Sequence, residues 1–304
     1  MLNRTNFIIV LGGALMFLVG CGQKAETASA GAHAREVEEW RAQRLASLKS
    51  EDGWLTLVGL YWLKEGENRF GADEANDLVL PAGKAPARAG SLFVSGKEVR
   101  VEAREGSGLT HDGTPVNSLR LKSDAGGEAP TILKLGSLSL QVIERGGKLG
   151  LRVKDRESEA LKNFRGLDNF PADARWRFEA RFERFDPPRS LPITNVLGWE
   201  EDTPSPGAVV FEAGGKTYRL DAISEPGEPR LFIIFADATS GRETYGAGRY
   251  LYADPPDASG KVVVDFNKAY SPPCAFTSFA TCPLPPEQNK LPLRVEAGEK
   301  FAGH

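Results

Sequence analysis

The chain has 304 residues, of which 41% are hydrophobic, and a formal net charge of −3 at pH 7. This length is sufficient for two domains of ordinary size. The mildly acidic balance argues against a nucleic-acid partner, because such binding needs a positively charged surface that displaces counterions from phosphates.

The first element in the chain is an uncharged apolar segment, residues 7–20, which leads into Cys21. It is shorter than the roughly 20 apolar residues of a spanning helix, and it follows the single basic residue Arg4, as the apolar region of an export signal does. Its end, Leu18-Val19-Gly20-Cys21, resembles a bacterial lipobox. We therefore predict that residues 1–20 are a lipoprotein signal peptide and that Cys21 is lipidated. The alternatives are an uncleaved anchor and an ordinary signal peptide.

Lipidation of Cys21 predicts a protein of the cell envelope. Acyl chains such as palmitate contribute about 0.8 kcal/mol of membrane affinity for each buried methylene, so two or three chains anchor a protein stably. By analogy with lipoprotein sorting, Gly22 rather than Asp at the second mature position favours the outer membrane, with the protein facing the periplasm. The small and polar residues 21–33 predict a flexible tether between the lipid and the folded part.

One amphipathic helix follows the predicted tether, from about Ala34 to Lys49. Four apolar side chains fall on one arc at helical spacing, and the other positions are mostly charged. These four are Val37, Trp40, Leu45 and Leu48. We expect this helix to pack its Trp40 side against a sheet.

The rest of the chain has the pattern of β-strands. Four turns with a Gly-Lys pair predict hairpin tips, because glycine supplies the positive φ of tight turns: they are Ser95-Gly96-Lys97, Gly146-Gly147-Lys148, Gly214-Gly215-Lys216 and Ser259-Gly260-Lys261. Residues 175–183 alternate between charged and apolar side chains, which predicts a strand with one buried face. The apolar run Leu231 to Phe235 predicts a buried central strand.

These elements predict an all-β protein with two β-rich domains, sandwich-like or barrel-like, preceded by one amphipathic helix. The boundary between the two strand-rich halves falls near Lys154–Asp168, where polar and charged residues dominate. We therefore assign residues 34–160 to the helix and a β-sandwich. Residues 161–304 are assigned to a C-terminal β-domain with a proline-rich loop.

The first half resembles a forkhead-associated β-sandwich in its order of strands and turns. The residues that carry this resemblance are Gly66-Glu67-Asn68-Arg69-Phe70-Gly71, Asn76-Asp77-Leu78-Val79-Leu80, Asp112-Gly113-Thr114-Pro115-Val116 and Leu135-Gly136. The phosphothreonine-binding residues do not carry over. Ala72 stands where that family has an arginine, and the expected serine and histidine are missing near Arg88-Ala89-Gly90. Phosphothreonine recognition depends on such charge-assisted bonds, so we expect the fold without the activity.

The most unusual part of the sequence is its C-terminal block. Its motifs are Tyr245-Gly246-Ala247-Gly248-Arg249-Tyr250-Leu251, Val264-Asp265-Phe266-Asn267, Pro272-Pro273-Cys274-Ala275-Phe276, Thr281-Cys282-Pro283-Leu284-Pro285-Pro286, Asn289 and Ala297-Gly298-Glu299-Lys300. Together with Trp54 to Phe70, this block resembles the bacterial domain-of-unknown-function family 1684, from about Trp40 to the C-terminus. The resemblance implies membership of a family with no settled biochemical role, and therefore no mechanism.

Polar residues cluster beside the proline-rich loop of this block. Asp265 and Asn267 are two residues apart on a predicted strand and so face the same side. The fork of Arg249, after a glycine pair, could clamp a ligand carboxylate or pair with Asp265. The candidate ligand-binding residues are Arg249, Tyr250, Asp265, Asn267, Asn289 and Glu299. The alternative is that the Asp and Asn side chains cap the backbone of the loop itself.

Cys274 and Cys282 are disulfide candidates, because an exported protein meets an oxidising compartment. Two packed thiols are the alternative. A metal site would need two more ligands, and no histidine neighbours the pair, so we predict no metal.

The three histidines, His33, His111 and His304, have no orienting partner in the sequence, which argues against triad hydrolases. Gly215-Lys216-Thr217 and Gly246-Ala247-Gly248 lack the glycines of nucleotide-binding loops, so we predict no cofactor.

The leading functional hypothesis is a lipid-anchored envelope protein whose C-terminal domain binds a small polar ligand or a partner segment of another envelope protein. The first alternative is a hydrolase that acts on an envelope or carbohydrate substrate with carboxylates such as Asp237, Asp265 and Glu299. The second alternative is a structural scaffold that contacts other proteins through the first sandwich.

Overall fold

The computed structural model describes residues 21–125 and 129–301 of the chain, with side chains from residue 31 onward. The predicted signal peptide lies outside the described residues. Helix α1 spans Cys21–Lys49, so it begins well before the predicted Ala34, and residues 21–33 are helical rather than a tether. This segment contains Ala25, Ala28, Ala30 and Ala32. Alanine has the highest helix propensity, which favours extension of the helix toward its N-terminus.

Eleven strands of the first half form two sheets. The strands are β1 (Leu57–Trp62), β2 (Gly66–Gly71), β3 (Leu78–Val79), β4 (Gly90–Ser95), β5 (Glu98–Ala103), β6 (Thr110–His111), β7 (Thr114–Pro115), β8 (Ser118–Leu121), β9 (Ile132–Leu135), β10 (Leu138–Arg145) and β11 (Lys148–Asp155). One sheet has the order β1-β11-β10-β9-β6-β7 and the other β3-β2-β4-β5-β8. Side chains such as Phe70, Leu92, Leu140 and Val153 from both sheets share one buried core, as in a sandwich.

Six strands of the second half form one antiparallel sheet. They are β12 (Arg177–Thr194), β13 (Glu200–Ala213), β14 (Lys216–Glu225), β15 (Glu228–Phe235), β16 (Arg249–Ala253) and β17 (Lys261–Asp265), in the order β16-β15-β14-β13-β12-β17. The all-β fold with a leading helix is confirmed. A second helix, α2, is short and spans Glu159–Asn163, with Ser158 as its N-cap.

The strand patterns predicted from the sequence correspond to these sheets. Residues 231–235 of β15 are all buried, and β12 alternates exposed Arg177 and Glu179 with the more buried Phe178 and Ala180. Gly96, Gly146 and Gly214 lie at hairpin tips with positive φ. The fourth predicted hairpin is wrong. The turn at Gly260 leads from β16 to β17, which lie at opposite ends of the strand order, because β17 pairs with β12 instead.

The chain beyond β17 is an irregular segment that covers the second sheet. It contains short 3-10 turns at Phe266–Lys268, Pro273–Ala275 and Glu287–Asn289. Phe266, Val295 and Ala297 are fully buried against the sheet. Proline removes backbone donors, which explains why this segment has turns and isolated bridges in place of a strand.

Helix α1 packs on this irregular segment, and the two halves also touch directly. The rings of Trp40 and Tyr270 are 6.2 Å apart, measured between centroids. Trp62 of β1 packs edge-on against Trp199, which precedes β13, with centroids 4.6 Å apart. The hydroxyl of Thr277 donates to the carbonyl of Leu57 at 3.2 Å. These contacts bring three distant parts of the chain to one place.

Candidate functional site

A cleft of about 530 Å³ lies where α1, the sandwich and the second sheet meet. The lining side chains come from four parts of the chain: Trp40, Gln43, Arg44 and Ser47 of α1; Trp54, Arg145 and Arg152 of the first half; Glu225, Arg230, Phe232, Tyr250 and Tyr252 of β14 to β16; and Tyr270, Pro273, Ala280, Thr281, Cys282 and Pro283 of the irregular segment. The four α1 residues share one helix face because they are spaced three and four residues apart.

Aromatic rings form one wall of the cleft. Tyr250 and Tyr252 are two residues apart on β16 and point to the same side. Tyr252 stacks on Phe232 at 4.8 Å between centroids and on Tyr270 at 6.4 Å. Burial raises the pKa of each of the three tyrosines above its ordinary value. At neutral pH these tyrosines therefore carry neutral hydroxyl groups on largely apolar rings.

Three of the four arginines in the cleft are held by ion pairs. Nε of Arg44 donates to Oε1 of Glu299 at 2.9 Å. Arg145 binds both carboxylate oxygens of Asp124, at 2.9 and 2.7 Å, and Arg230 binds both oxygens of Glu228, at 2.9 and 2.6 Å. Bidentate pairs of this kind neutralise the charge and fix the side chain.

Arg152 of β11 is the exception. Arg152 is only 6% exposed, and its guanidinium carbon lies 5.2 Å from the ring centroid of Trp54. It forms no hydrogen bond or ion pair with residues 31–125 and 129–301, and its Nε is buried without a partner there. Desolvation, and then the nearby charge of Arg145, lower the pKa of Arg152 to about 10. At neutral pH Arg152 is therefore a buried cation, and the nearest carboxylate that acts on it, Asp124, is already bound at both oxygens by Arg145.

Arg249, predicted as a ligand clamp, is fully buried behind the cleft. Its Nη2 donates to Oδ1 of Asp237 at 3.1 Å and to the carbonyl of Val295 at 3.0 Å, and its Nη1 donates to the carbonyl of Ala297. The predicted alternative partner, Asp265, is replaced by Asp237. Gly248 allows the close backbone approach that places Arg249, since an added Cβ there would lie 2.5 Å from the carbonyl oxygen of Phe235.

Asp265 and Asn267 are adjacent, as their spacing predicted, but they bind each other. Oδ1 of Asp265 accepts from Nδ2 of Asn267 at 2.8 Å, and Asn267 also bridges the backbone N–H and carbonyl of Asp173. The expectation that His33 has no orienting partner is wrong. The longer helix carries His33 to the sheet, where its Nε2 lies 2.7 Å from Oδ2 of Asp265.

Asn289 and Glu299 also serve the fold. The amide of Asn289 bonds both the N–H and the carbonyl of Asp221 and the carbonyl of Ile234. Oε2 of Glu299 accepts from the backbone N–H of Ser271 at 2.8 Å, while its other oxygen binds Arg44. Of the six candidate residues, Tyr250 lines the cleft, and its hydroxyl donates to the carbonyl of Pro283 at 2.8 Å.

Cys274 and Cys282 form a disulfide with Cα atoms 6.2 Å apart. Cys282 and its neighbours Thr281 and Pro283 line the cleft, so the bridge holds one of its edges. Among the described residues no cluster of three or more His, Cys, Asp or Glu side chains offers a metal site. Within the same residues no helix combines the length and the apolarity that a membrane span requires.

Sequence reasoning missed Trp54, Arg152, Arg230 and Tyr252. Leu149, Leu151 and Val153 of β11 face the sandwich core, so alternation assigns Arg152 to a solvated outer face. The available signal was Trp54, because a large aromatic ring just after α1 is expected to pack against another part of the protein. Only the packing of the second half over this outer face turns Arg152 into a buried residue.

A family model described as Protein of unknown function (DUF1684) matches residues 162–300. The similarity to this family therefore covers slightly less than half of the chain. The match to DUF1684 is narrower than the predicted resemblance, which started at about Trp40. No curated protein matches the chain.

Three solved structures are similar to parts of the chain. An uncharacterized protein of Haloarcula marismortui, solved by solution NMR, is 32% identical over 46% of this chain and 78% of that one, with a TM-score of 0.39. The FHA domain of FhaA, in complex with an intracellular domain of another protein, is 17% identical over 31% and 97% of the two chains, with a TM-score of 0.23. An FHA domain with phosphothreonine-dependent interactions is 18% identical over 33% and 96%, with a TM-score of 0.23.

Some of the residues that line the cleft lie within the DUF1684 match, and the others precede it. The match contains Arg230, Tyr250, Tyr252 and the loop from Tyr270 to Pro283. Helix α1 and the sandwich contribute the facing wall. The cleft therefore lies between the DUF1684 segment and the part of this chain that precedes it.

Proposed function

We propose that the protein binds a small polar ligand with a ring or apolar body in the cleft between α1, the sandwich and the DUF1684 sheet. The observation that carries this proposal is the cleft itself, a concavity of about 530 Å³ with stacked aromatic rings and several polar groups. Ligand pockets of ordinary size measure about 300–1,000 Å³ and combine apolar walls with a few placed polar groups.

The carboxylates of this region favour binding over hydrolysis. Glycoside hydrolysis of the usual kind needs two carboxyl groups that flank the scissile bond. Glu225 is the single carboxylate among the described lining residues, and it accepts a hydrogen bond from Tyr252. Asp237 is bonded to Arg249, Thr239 and the N–H of Val295, so its oxygens are already engaged.

The cellular part of the proposal rests on the sequence. We propose that Cys21 is lipidated after export and that the protein works at the outer membrane, facing the periplasm. Cys21 belongs to helix α1, so the lipid would attach to a helix that also lines the cleft. A periplasmic ligand would then reach the cleft without crossing a membrane.

A variant that fills the cleft tests ligand binding. Ser47 is exposed on the cleft face of α1, so Ser47→Trp adds a large ring inside the cleft without replacing a core residue. Ala46 is also exposed but does not line the cleft, which makes Ala46→Trp the matched control. The full chain, purified in detergent, is incubated with periplasmic extract, and retained small molecules are identified by native mass spectrometry.

We expect a retained molecule with the wild-type protein and with Ala46→Trp, and its loss with Ser47→Trp. Equal retention by Ser47→Trp would show that the molecule binds elsewhere. Retention of a protein segment in place of a small molecule would support the scaffold hypothesis instead.

A further inference from the structure

We propose that the ligand carries an oxyanion, a carboxylate or a phosphate group, and that Arg152 binds it. This inference rests on the proposed function, and it specifies the chemistry of the ligand. The oxyanion would be held at the sandwich side of the cleft, opposite the tyrosines of β16.

The geometry of Arg152 leaves its hydrogen-bonding groups available. A guanidinium has five N–H donors in its plane. The guanidinium carbon lies 5.2 Å from the ring centroid of Trp54, a cation–π contact in which the ring offers the donors no oxygen acceptor. No donor of Arg152 meets an acceptor in residues 31–125 and 129–301, although the residue is only 6% exposed and lines the cleft.

The other arginines of the cleft show how this protein satisfies an arginine for structural purposes. Arg44, Arg145 and Arg230 each have a carboxylate partner within 2.9 Å. A buried charge without a partner is unfavourable, because desolvation is not compensated by a hydrogen bond or a counter-ion. The missing partner of Arg152 is therefore the group that a ligand would supply.

The local charge balance favours an anion. Arg145 lies close enough to Arg152 to lower its pKa, and one carboxylate, Asp124, serves both cations. Glu225, the acidic group that lines the cleft, is hydrogen-bonded by Tyr252. An oxyanion at Arg152 would neutralise the remaining charge and accept two parallel N–H bonds, the geometry that arginine forms with carboxylates and phosphates.

The aromatic walls define the rest of the ligand. Trp54 borders Arg152, and Trp40 with Tyr270 continues the apolar surface across the cleft. Rings of this kind bind planar or apolar groups by offset stacking. The favoured ligand class is an organic acid or phosphate ester with a ring, rather than a free inorganic ion.

The test compares two anionic probes with a neutral one. Phenylacetate and phenyl phosphate are the anionic probes, and phenylacetamide is the neutral probe of the same shape as phenylacetate. Each is titrated by calorimetry into the full chain in detergent. The variants are Arg152→Met, which removes the charge, and Arg152→Lys, which keeps it. Arg120→Met, at an exposed arginine paired with Glu98 on the other sheet of the sandwich, is the control.

We expect at least one anionic probe to bind the wild type about tenfold more tightly than the amide, as for one charge-assisted pair. Arg152→Met should abolish this preference without changing the affinity for the amide, and Arg152→Lys should retain part of it. Arg120→Met should behave like the wild type. Comparison of the two anionic probes distinguishes a carboxylate site from a phosphate site.

Thermal unfolding provides a second readout that a structural arginine would not share. Removal of an uncompensated charge should leave the Tm of Arg152→Met equal to or above that of the wild type. A large decrease in Tm would make Arg152 a structural residue and overturn the proposal. Equal binding of the amide and both anions by the wild type would also overturn it. Binding of none of the three probes would overturn the oxyanion assignment, while the Ser47→Trp comparison decides ligand binding separately.

Discussion

Asn289 shows how a single buried amide joins three parts of the fold. It is 1% exposed, and its side chain bonds backbone groups of Asp221 and Ile234 on two strands. These bonds attach the irregular segment to the sheet that carries the aromatic wall of the cleft. The predicted alternative was an Asn that caps the backbone of its own loop, whereas the backbone groups that Asn289 satisfies belong to β14 and β15.

We predict that Asn289→Ala lowers the free energy of unfolding by about 2–3 kcal/mol, because backbone groups that the amide now satisfies would stay buried without partners. Urea unfolding followed by circular dichroism measures this change. Asn163→Ala, at an exposed position of α2, should change stability by less than about 0.5 kcal/mol. Similar effects of the two substitutions would contradict the structural role of Asn289.

At this scale, the sequence predicts residue types better than their availability. The spacing of Asp265 and Asn267 predicted that both lie on one strand, but β17 ends at Asp265 and Asn267 lies in the following 3-10 turn, whose backbone geometry brings the two side chains into hydrogen-bond contact. The exposure of Arg152 was misjudged for a related reason. Strand alternation reports which face a residue occupies, whereas only tertiary packing determines whether that face meets water.

Helix α1 is attached to the second half by polar contacts along its length. His33 lies against Asp265, Glu36 pairs with Lys268 and Arg177, and Arg44 pairs with Glu299. Val37 and Leu48 of the same helix are fully buried. The helix is thus held by apolar burial and by pairs of charged or polar side chains.

We predict that the stabilising effect of Glu36 is lost in acid. The hydrogen bond from Lys268 lowers the pKa of Glu36 below its ordinary value. A carboxylate with a lowered pKa in the folded state contributes stability above its unfolded pKa, about 4.3, and this contribution disappears as the pH falls through the folded pKa. The stability difference between the wild type and Glu36→Gln should therefore shrink from about pH 6 to about pH 3.

Urea unfolding of both proteins across this pH range tests the prediction. The effect should be small, because the pair is mostly exposed. Glu39→Gln, at an exposed carboxylate on the same helix, is the control for the loss of one surface charge. A difference between the wild type and Glu36→Gln that grows with acidity would contradict the assignment.

Periodicity predicted most of the elements. The apolar arc around Val37 identified α1, and glycine turns identified three hairpins with their positive-φ residues. The start of α1 was misjudged because small residues are typical of tethers, yet alanine is also the strongest helix former. The fourth turn was misjudged because glycine specifies a turn but not which strand the chain joins next.

At the scale of the whole molecule, the lipid anchor is the prediction with the largest consequence. Cys21→Ser removes the thiol that acyl chains would modify, and each buried methylene contributes about 0.8 kcal/mol of membrane affinity. We predict that the variant incorporates no radiolabelled palmitate in a Gram-negative host.

Cys274→Ser is the matched control, because the sulfur of Cys274 belongs to the disulfide. This variant should still incorporate palmitate. Incorporation of palmitate by Cys21→Ser, or its absence from the wild type, would refute lipidation at Cys21. The measurement needs no knowledge of the ligand and thus separates the cellular proposal from the biochemical one.

The cleft could not be predicted from the sequence, because its walls are far apart in the chain. Trp40, Arg152 and Tyr252 belong to a helix, a sandwich strand and a strand of the second sheet. Local patterns predict each of these elements but not their mutual contact. The family resemblance implied no biochemical role and therefore no site residues. The cleft could be identified only from the tertiary structure.

The position of the cleft also affects how protein fragments should be chosen. A polypeptide cut to residues 162–300 would keep Tyr250 and Tyr252 but discard Trp40, Trp54 and Arg152. Such a truncation would present a half-open groove to solvent, and a negative screen on it would say nothing about the intact chain. Expression boundaries for this protein should therefore include α1 and the sandwich.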